Sequence, residues 1–114
     1  METETVTVAE AAAIPVGTYR CVDAAGRKVL VAHLEDGFHA VENRCTHAGR
    51  AFDGSPLLKG GQIQCPLHGA RFDLRTGAPK SAPAFIRLPV YPVRVEDGLV
   101  KVTVPRKPPP LFPI

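Results

Sequence analysis

The chain is predicted to be all-β, a small antiparallel sandwich or barrel, and three observations carry that expectation. Segments rich in β-branched and aromatic residues recur at short intervals, glycine-containing turn signals separate them, and no stretch longer than about Val8–Ala13 reads as helix. At 114 residues the chain has the length of one domain, with room for one modest core and none for a second, catalytic domain. Plentiful glycine and proline and the absence of tryptophan fit many turns and short strands.

Taken in order, strands are expected at Thr5–Val8, Thr18–Val22, Arg27–Leu34, Phe38–Asn43, Gln62–Gln64, Ala70–Leu74, Val90–Val95 and Leu99–Val104. In the last of these, Val100, Val102 and Val104 alternate with Leu99, Lys101 and Thr103, the pattern of a half-buried strand. In Val29–Leu34 both alternating sets are largely apolar, which places that strand centrally in a sheet. The turns fall at Ala25-Gly26, Asp36-Gly37, Gly60-Gly61, Thr76-Gly77 and Asp97-Gly98. Glu35-Asp36-Gly37 and Glu96-Asp97-Gly98 look alike, but two hairpin turns do not make a repeat. Residues 44–69 are poor in strand signal, a long excursion that something must organise. The tail from Pro105 to Ile114 carries five prolines and is expected to run extended.

Charge and cysteine content narrow the function. The formal charge of +3 is mild, and its basic residues are scattered along the chain, unlike the dense basic face of a nucleic-acid binder. The longest uninterrupted apolar run, Ala11 to Val16, is far short of the ~20 residues that span a bilayer. The first residues are acidic where a secretory signal would be basic. Three cysteines at these spacings do not suit a secreted disulfide framework. A reduced, cytoplasmic protein is expected, with neither nucleic acid nor membrane as partner.

The excursion begins with Cys45-Thr46-His47 and ends with Cys65-Pro66-Leu67-His68-Gly69, with seventeen residues between His47 and Cys65. Each half offers one thiolate and one imidazole, and the two together supply two soft sulfurs and two nitrogens. That donor set suits a tetrahedral zinc site or a [2Fe–2S] cluster in which two Cys hold one iron and two His the other. A zinc finger would want a helix bearing both histidines, and no helical pattern surrounds His68.

The wider context resembles the Rieske family: Arg44-Cys-Thr-His-Ala-Gly49, then Gln64-Cys-Pro-Leu-His-Gly-Ala-Arg-Phe-Asp73, then Thr76-Gly77, and a closing Leu88, Tyr91-Pro-Val-Arg-Val95, Gly98 and Val102. The resemblance covers roughly residues 14–104 and implies an antiparallel β-sandwich with a small cluster-binding loop subdomain. It implies one Rieske-type [2Fe–2S] cluster, with Cys45 and Cys65 on the buried iron and His47 and His68 on the outer one. Residues 1–104 are then a single Rieske domain, the cluster-binding subdomain is about 44–73, and 105–114 is a proline-rich tail. Pro83, in Ser81-Ala82-Pro83-Ala84-Phe85, resembles the proline of a third loop that covers the cluster; many relatives have glycine where this chain has Ala82.

Respiratory relatives carry two further cysteines where this chain has Arg50 and Leu67, and serine and tyrosine hydroxyls where it has Ala70 and Phe72. Without those hydroxyl donors a reduced cluster gains less stabilisation, so a potential near the low end of the Rieske range, which runs from ~−150 to +300 mV, is expected. The function implied is a monomeric one-electron carrier between a flavin-containing NAD(P)H reductase and a terminal oxygenase, often one hydroxylating aromatic rings. The alternatives are the small subunit of an assimilatory nitrite reductase and a zinc-stabilised structural module. Docking is expected at the loop tip around His47, His68, Pro83 and Phe85. Many ferredoxins of this type are acidic, whereas this chain is basic. Cys21, His33 and His39 are expected to be ordinary strand residues, and Asp73 to cap a turn.

Overall fold

A computed structural model describes residues 2–46, 49–67, 69–82 and 86–106. Its strands are β1 (Thr3–Glu10), β2 (Thr18–Ala24), β3 (Arg27–Leu34), β4 (Gly37–Glu42), β5 (Leu57–Leu58), β6 (Gln62–Gln64), β7 (Arg71–Asp73), β8 (Val90–Tyr91), β9 (Val93–Glu96) and β10 (Leu99–Pro105). A single 3-10 turn, Ala11–Ala13, is the only helical element among the described residues. The strands form three antiparallel sheets, ordered β1-β10-β9, β2-β3-β4-β8 and β5-β6-β7. The all-β expectation holds.

The central position expected for β3 follows from its two apolar faces. Val29, Leu30, Val31 and Ala32 are all inaccessible to solvent. Successive side chains on a strand point to opposite faces, and here each face has its own core. Val29 and Val31 pack with Ile14, Tyr91, Val100, Val102 and Val104 between the first two sheets. Leu30, Ala32 and Leu34 pack with Phe52, Ile63, Phe72 and both Cys45 and Cys65 on the other side. On β10 the alternation is as expected, with Val100, Val102 and Val104 buried and their neighbours partly exposed. Burying each such valine contributes roughly 1.5–3 kcal/mol.

Three details differ from the expectation. The segment Val90–Val95 is two strands and not one: β8 pairs with Val41 and Ala40 of β4, whereas β9 pairs with β10. Pro92 stands at the switch. It has no N–H to donate to a ladder, while its carbonyl accepts the Thr103 N–H at 2.9 Å. The excursion at 44–69 holds β5 as well as β6, with Leu57 opposite Ile63 and Leu58 opposite Gln62. A two-residue strand is too short to leave a readable period.

The look-alike turns also close differently. Glu96 pairs with Leu99, centring that hairpin on Asp97-Gly98, but Leu34 pairs with Gly37, centring the other on Glu35-Asp36. Asp97 and Gly98 have φ of 52° and 75°, and Ala25 and Gly26 have 51° and 83°, the left-handed pair that matches strand twist. Asp36 is fixed instead by its carboxylate, which accepts Arg75 Nε at 2.9 Å and meets His39 Nε2 at 2.9 Å. Arg75, and after it His39, hold this carboxyl well below the usual carboxylate range. Arg75 also donates to the Gly60 carbonyl at 3.1 Å, which ties the β3–β4 turn to the third sheet.

Gly77 links the third sheet to the segment leading into β8. Its N–H donates to Asp73 O at 2.7 Å and its carbonyl accepts Leu88 N–H at 2.8 Å. Its φ is +76°, and a Cβ here would collide with the Leu88 carbonyl oxygen. Gly77→Ala is expected to lower the unfolding free energy by about 2 kcal/mol or more. Urea denaturation measures this, and an unshifted midpoint would contradict it.

Candidate metal centre

Two loops of six residues, Cys45–Arg50 and Cys65–Ala70, share one backbone frame. In each, the cysteine N–H donates to the carbonyl five residues on, Arg50 in the first loop and Ala70 in the second, both at 2.7 Å. The glycine four residues on donates back to the cysteine carbonyl, at 2.7 Å for Gly49 and 3.1 Å for Gly69. Both glycines have positive φ, 69° and 77°, which lets the chain turn back on itself within so few residues. The second loop is the β6–β7 hairpin connection; the first follows β4.

The frame puts Cys45 and Cys65 at equivalent positions, 0% and 1% exposed, in one apolar cluster with Phe52, Ala70 and Phe72. A buried thiol at the start of each of two matching loops fits a cluster that takes two thiolates from separate loops. His47 and His68 lie outside the described residues, as do Pro83 and Phe85. Among the described residues no group of three or more His, Cys, Asp or Glu side chains converges on a common point. Ala70 and Phe72, both fully buried, bring no hydroxyl to this region. The Phe72 ring instead meets Phe52 edge-on, with centroids 5.8 Å apart.

Polar contacts fasten the first loop and its continuation to the body. The buried Asn43 side chain accepts the Phe52 N–H at 2.8 Å and donates to Asp53 Oδ1 at 2.8 Å. Tyr19 Oη on β2 donates to the Ser55 carbonyl at 2.7 Å and the Phe52 carbonyl at 3.1 Å. Thr46 Oγ1 donates to the Ile86 carbonyl at 2.6 Å, joining the first loop to the segment before β8. The Arg71 N–H donates to Ser81 Oγ at 3.0 Å, and Lys80 N–H to the Arg71 carbonyl at 2.7 Å, bringing that same segment to the second loop. None of Asn43, Tyr19 or Thr46 was singled out by sequence. The available signal was Asn43, a polar residue between an apolar strand and the first cysteine.

The residues set aside behave as expected. Asp73 Oδ1 accepts the Arg75 N–H at 2.7 Å, an Asx-type turn. His33 Nδ1 lies 2.6 Å from the Ile14 carbonyl, with its ring stacked on Phe38. Cys21 is partly buried against the core that holds Cys45 and Cys65. Burial, and then the Asp53 carboxylate, push its thiol up to about 12.

The family model described as Rieske [2Fe-2S] domain matches residues 4–92. The chain belongs to the Rieske family. It is 38% identical over 90 residues to the ferredoxin component of a naphthalene 1,2-dioxygenase system from Pseudomonas aeruginosa, covering 78% of this chain and 85% of that one. Among solved structures, the ferredoxin of carbazole 1,9a-dioxygenase from Nocardioides aromaticivorans IC177 matches with a TM-score of 0.81 and 33% identity, over 86% of this chain and 95% of that one. A complex of reduced oxygenase and oxidized ferredoxin in carbazole 1,9a-dioxygenase matches with a TM-score of 0.79 and 35% identity, over 86% and 91%. This Rieske domain carries one [2Fe–2S] cluster of the Rieske type, and the tetrahedral zinc alternative falls.

Two outcomes follow for the Rieske domain. Asn43→Ala strands the buried Phe52 N–H and should destabilise the holoprotein by about 2–3 kcal/mol. Its visible absorbance should also bleach faster on warming; wild-type stability and bleaching would argue against the anchoring role. At about pH 8 the Cys21 thiol stays protonated, so Ellman's reagent should leave it unlabelled in native holoprotein and label it after denaturation. Prompt labelling of Cys21 in the native state would contradict this.

Proposed function

We propose that Cys45 and Cys65 hold one iron of the cluster and His47 and His68 the other. On this reading the chain is a carrier of single electrons, not itself a catalyst. It takes electrons from an NAD(P)H-dependent flavin reductase and delivers them to a terminal, aromatic-ring-hydroxylating oxygenase. The observation that supports it most is the pair of matching loops, each opening on a buried cysteine of one core. The bound cluster supplies reversible one-electron storage, changing its formal charge only from zero to −1. The relatives point the same way: they are named as ferredoxins of dioxygenase systems, and one was solved with its oxygenase.

The chain's own residues contribute rigidity and exclusion of water. The doubly hydrogen-bonded loop frame and the Thr46–Ile86 tie hold both loops where one added electron requires little rearrangement. Phe52 and Phe72 keep the cysteine side dry. One Rieske domain has its cluster-binding subdomain at about 44–73. It reaches past the expected boundary at 104, because Pro105 pairs with Thr3 and Arg106 N–H donates to the Glu2 carbonyl at 3.1 Å; the rest of the expected tail, 107–114, lies outside the described residues. No helix among the described residues is long and apolar enough to cross a membrane. We place the protein in the cytoplasm as a soluble monomer.

Protein purified without added metal should be brown and show an EPR signal on dithionite reduction, at the low average g of a diiron centre with mixed His and Cys ligands. Cys45→Ser and Cys65→Ser should each abolish the colour and the iron content. A colourless wild-type protein would refute the reading. With no hydroxyl on Ala70 or Phe72, redox titration should give a potential near ~−150 mV; a clearly positive value would refute that assignment.

A further inference from the structure

The cations among the described residues differ in what they meet. Lys28, Arg75, Arg94, Lys101 and Arg106 each meet a carboxylate, those of Asp23, Asp36, Glu96, Glu96 again, and Glu2. Arg44, Arg50, Arg71, Lys80 and Arg87 are all exposed, and among the described residues none of the five makes an ion pair. Arg20 and Lys59 are also exposed and, among the described residues, make no ion pair, but they lie on β2 and in the β5–β6 turn. The five are the ones on or beside the two loops and the segment tied to them. Arg44 precedes Cys45 and lays its guanidinium beside Gly49. Arg50 closes the first loop, and Arg71 follows the residue that closes the second. Lys80 is hydrogen-bonded to Arg71 through the backbone, and Arg87 follows Ile86, the residue tied to Thr46.

Acidic residues are missing from the same region. None occurs from 43 to 52, from 54 to 72 or from 74 to 95. The acids that bound those stretches are engaged: Glu42 accepts Tyr91 Oη at 2.9 Å, Asp53 accepts Asn43 Nδ2, Asp73 accepts the Arg75 N–H, and Glu96 pairs with Lys101 and Arg94. The remaining acids lie on or beside β1, on β2, and in the β3–β4 and β9–β10 turns. On the second loop and at the Thr46 tie stand two exposed apolar side chains, Leu67 at 50% and Ile86 at 65%. An apolar centre within a charged rim is the anatomy of a transient docking face, and a small one suits brief electron-transfer contacts.

We propose that this cationic rim is the surface on which the chain meets its redox partner, and that the partner's matching face is acidic. The proposal rests on the carrier reading above and deepens it. Like charges gathered on one face gain nothing from one another; they steer an oppositely charged surface into contact and raise the association rate by roughly 10–10³-fold at low salt. They also set orientation, bringing the two loops toward the acceptor and disfavouring basic proteins.

The test uses reduced holoprotein, freed of excess dithionite, mixed by stopped flow with two haem acceptors: acidic cytochrome b5 and basic cytochrome c. Transfer to cytochrome b5 is expected to slow at least ~10-fold as salt rises from low to physiological levels, while transfer to cytochrome c does not slow. The variant R50E/R71E/R87E, or R50Q/R71Q/R87Q should charge reversal impair folding, is expected to remove the salt effect with its visible spectrum intact. The control R20E/K59E, which changes exposed cations outside the rim, is expected to keep it. Salt-insensitive transfer to both acceptors by a brown, redox-active protein would overturn the rim and leave the carrier reading standing. So would a control as impaired as the rim variant. A colourless protein that transfers no electrons would remove the carrier reading, and the rim's role with it.

Discussion

The molecule depends on one strand being dry on both faces. β3 gives Val29 and Val31 to the core shared with β10, and Leu30, Ala32 and Leu34 to the core that encloses Cys45 and Cys65. A strand buried on both sides has its register strongly specified, because a slip of one residue would exchange every side chain between two differently shaped cores. The body and the two cysteine loops are thus referenced to the same backbone. The ties from Tyr19 and Asn43 fix the continuation of the first loop against that reference, and Arg75 ties in the third sheet, without burying a charge.

Much of this was legible in the sequence, for physical reasons that differ by element. The two-sided apolar run of β3 and the alternation of β10 were readable because a period of two is imposed by burial. The proposed site stands out in the sequence because metal ligation demands particular donor atoms at short spacing, as Cys45-Thr46-His47 and Cys65-Pro66-Leu67-His68 offer; the structure brings the two cysteines into one core, and both histidines lie outside the described residues. What escaped was set by tertiary partners. β5 exists because Leu57 and Leu58 find β6, and Val90–Val95 divides because its two halves pair with different sheets. The Glu35-Asp36 turn differs from its look-alike because Arg75, thirty-nine residues away from Asp36, holds the carboxylate.

The cationic rim shows how a mild net charge conceals a strong local one. A balance of +3 over the whole chain suggested no particular partner. Folding sorts the charges: most carboxylates pair with cations on the body or lie in its turns, and five exposed cations are left around the loops. The sorting was not readable from composition, because it depends on which segments the twin loops and the Thr46–Ile86 tie bring together.

Cys45 and Cys65 are counted among the buried residues of a core, together with Phe52, Ile63 and Phe72. With these cysteines holding the cluster as proposed, ligation and the packing of the third sheet would be one cooperative unit. Ligand groups that also serve as core residues couple metal affinity to folding free energy. On that ligation, iron supply would govern how much of the chain a cell can keep folded. A shortage would be felt first as turnover of the carrier by proteases, before any accumulation of an intact but empty form.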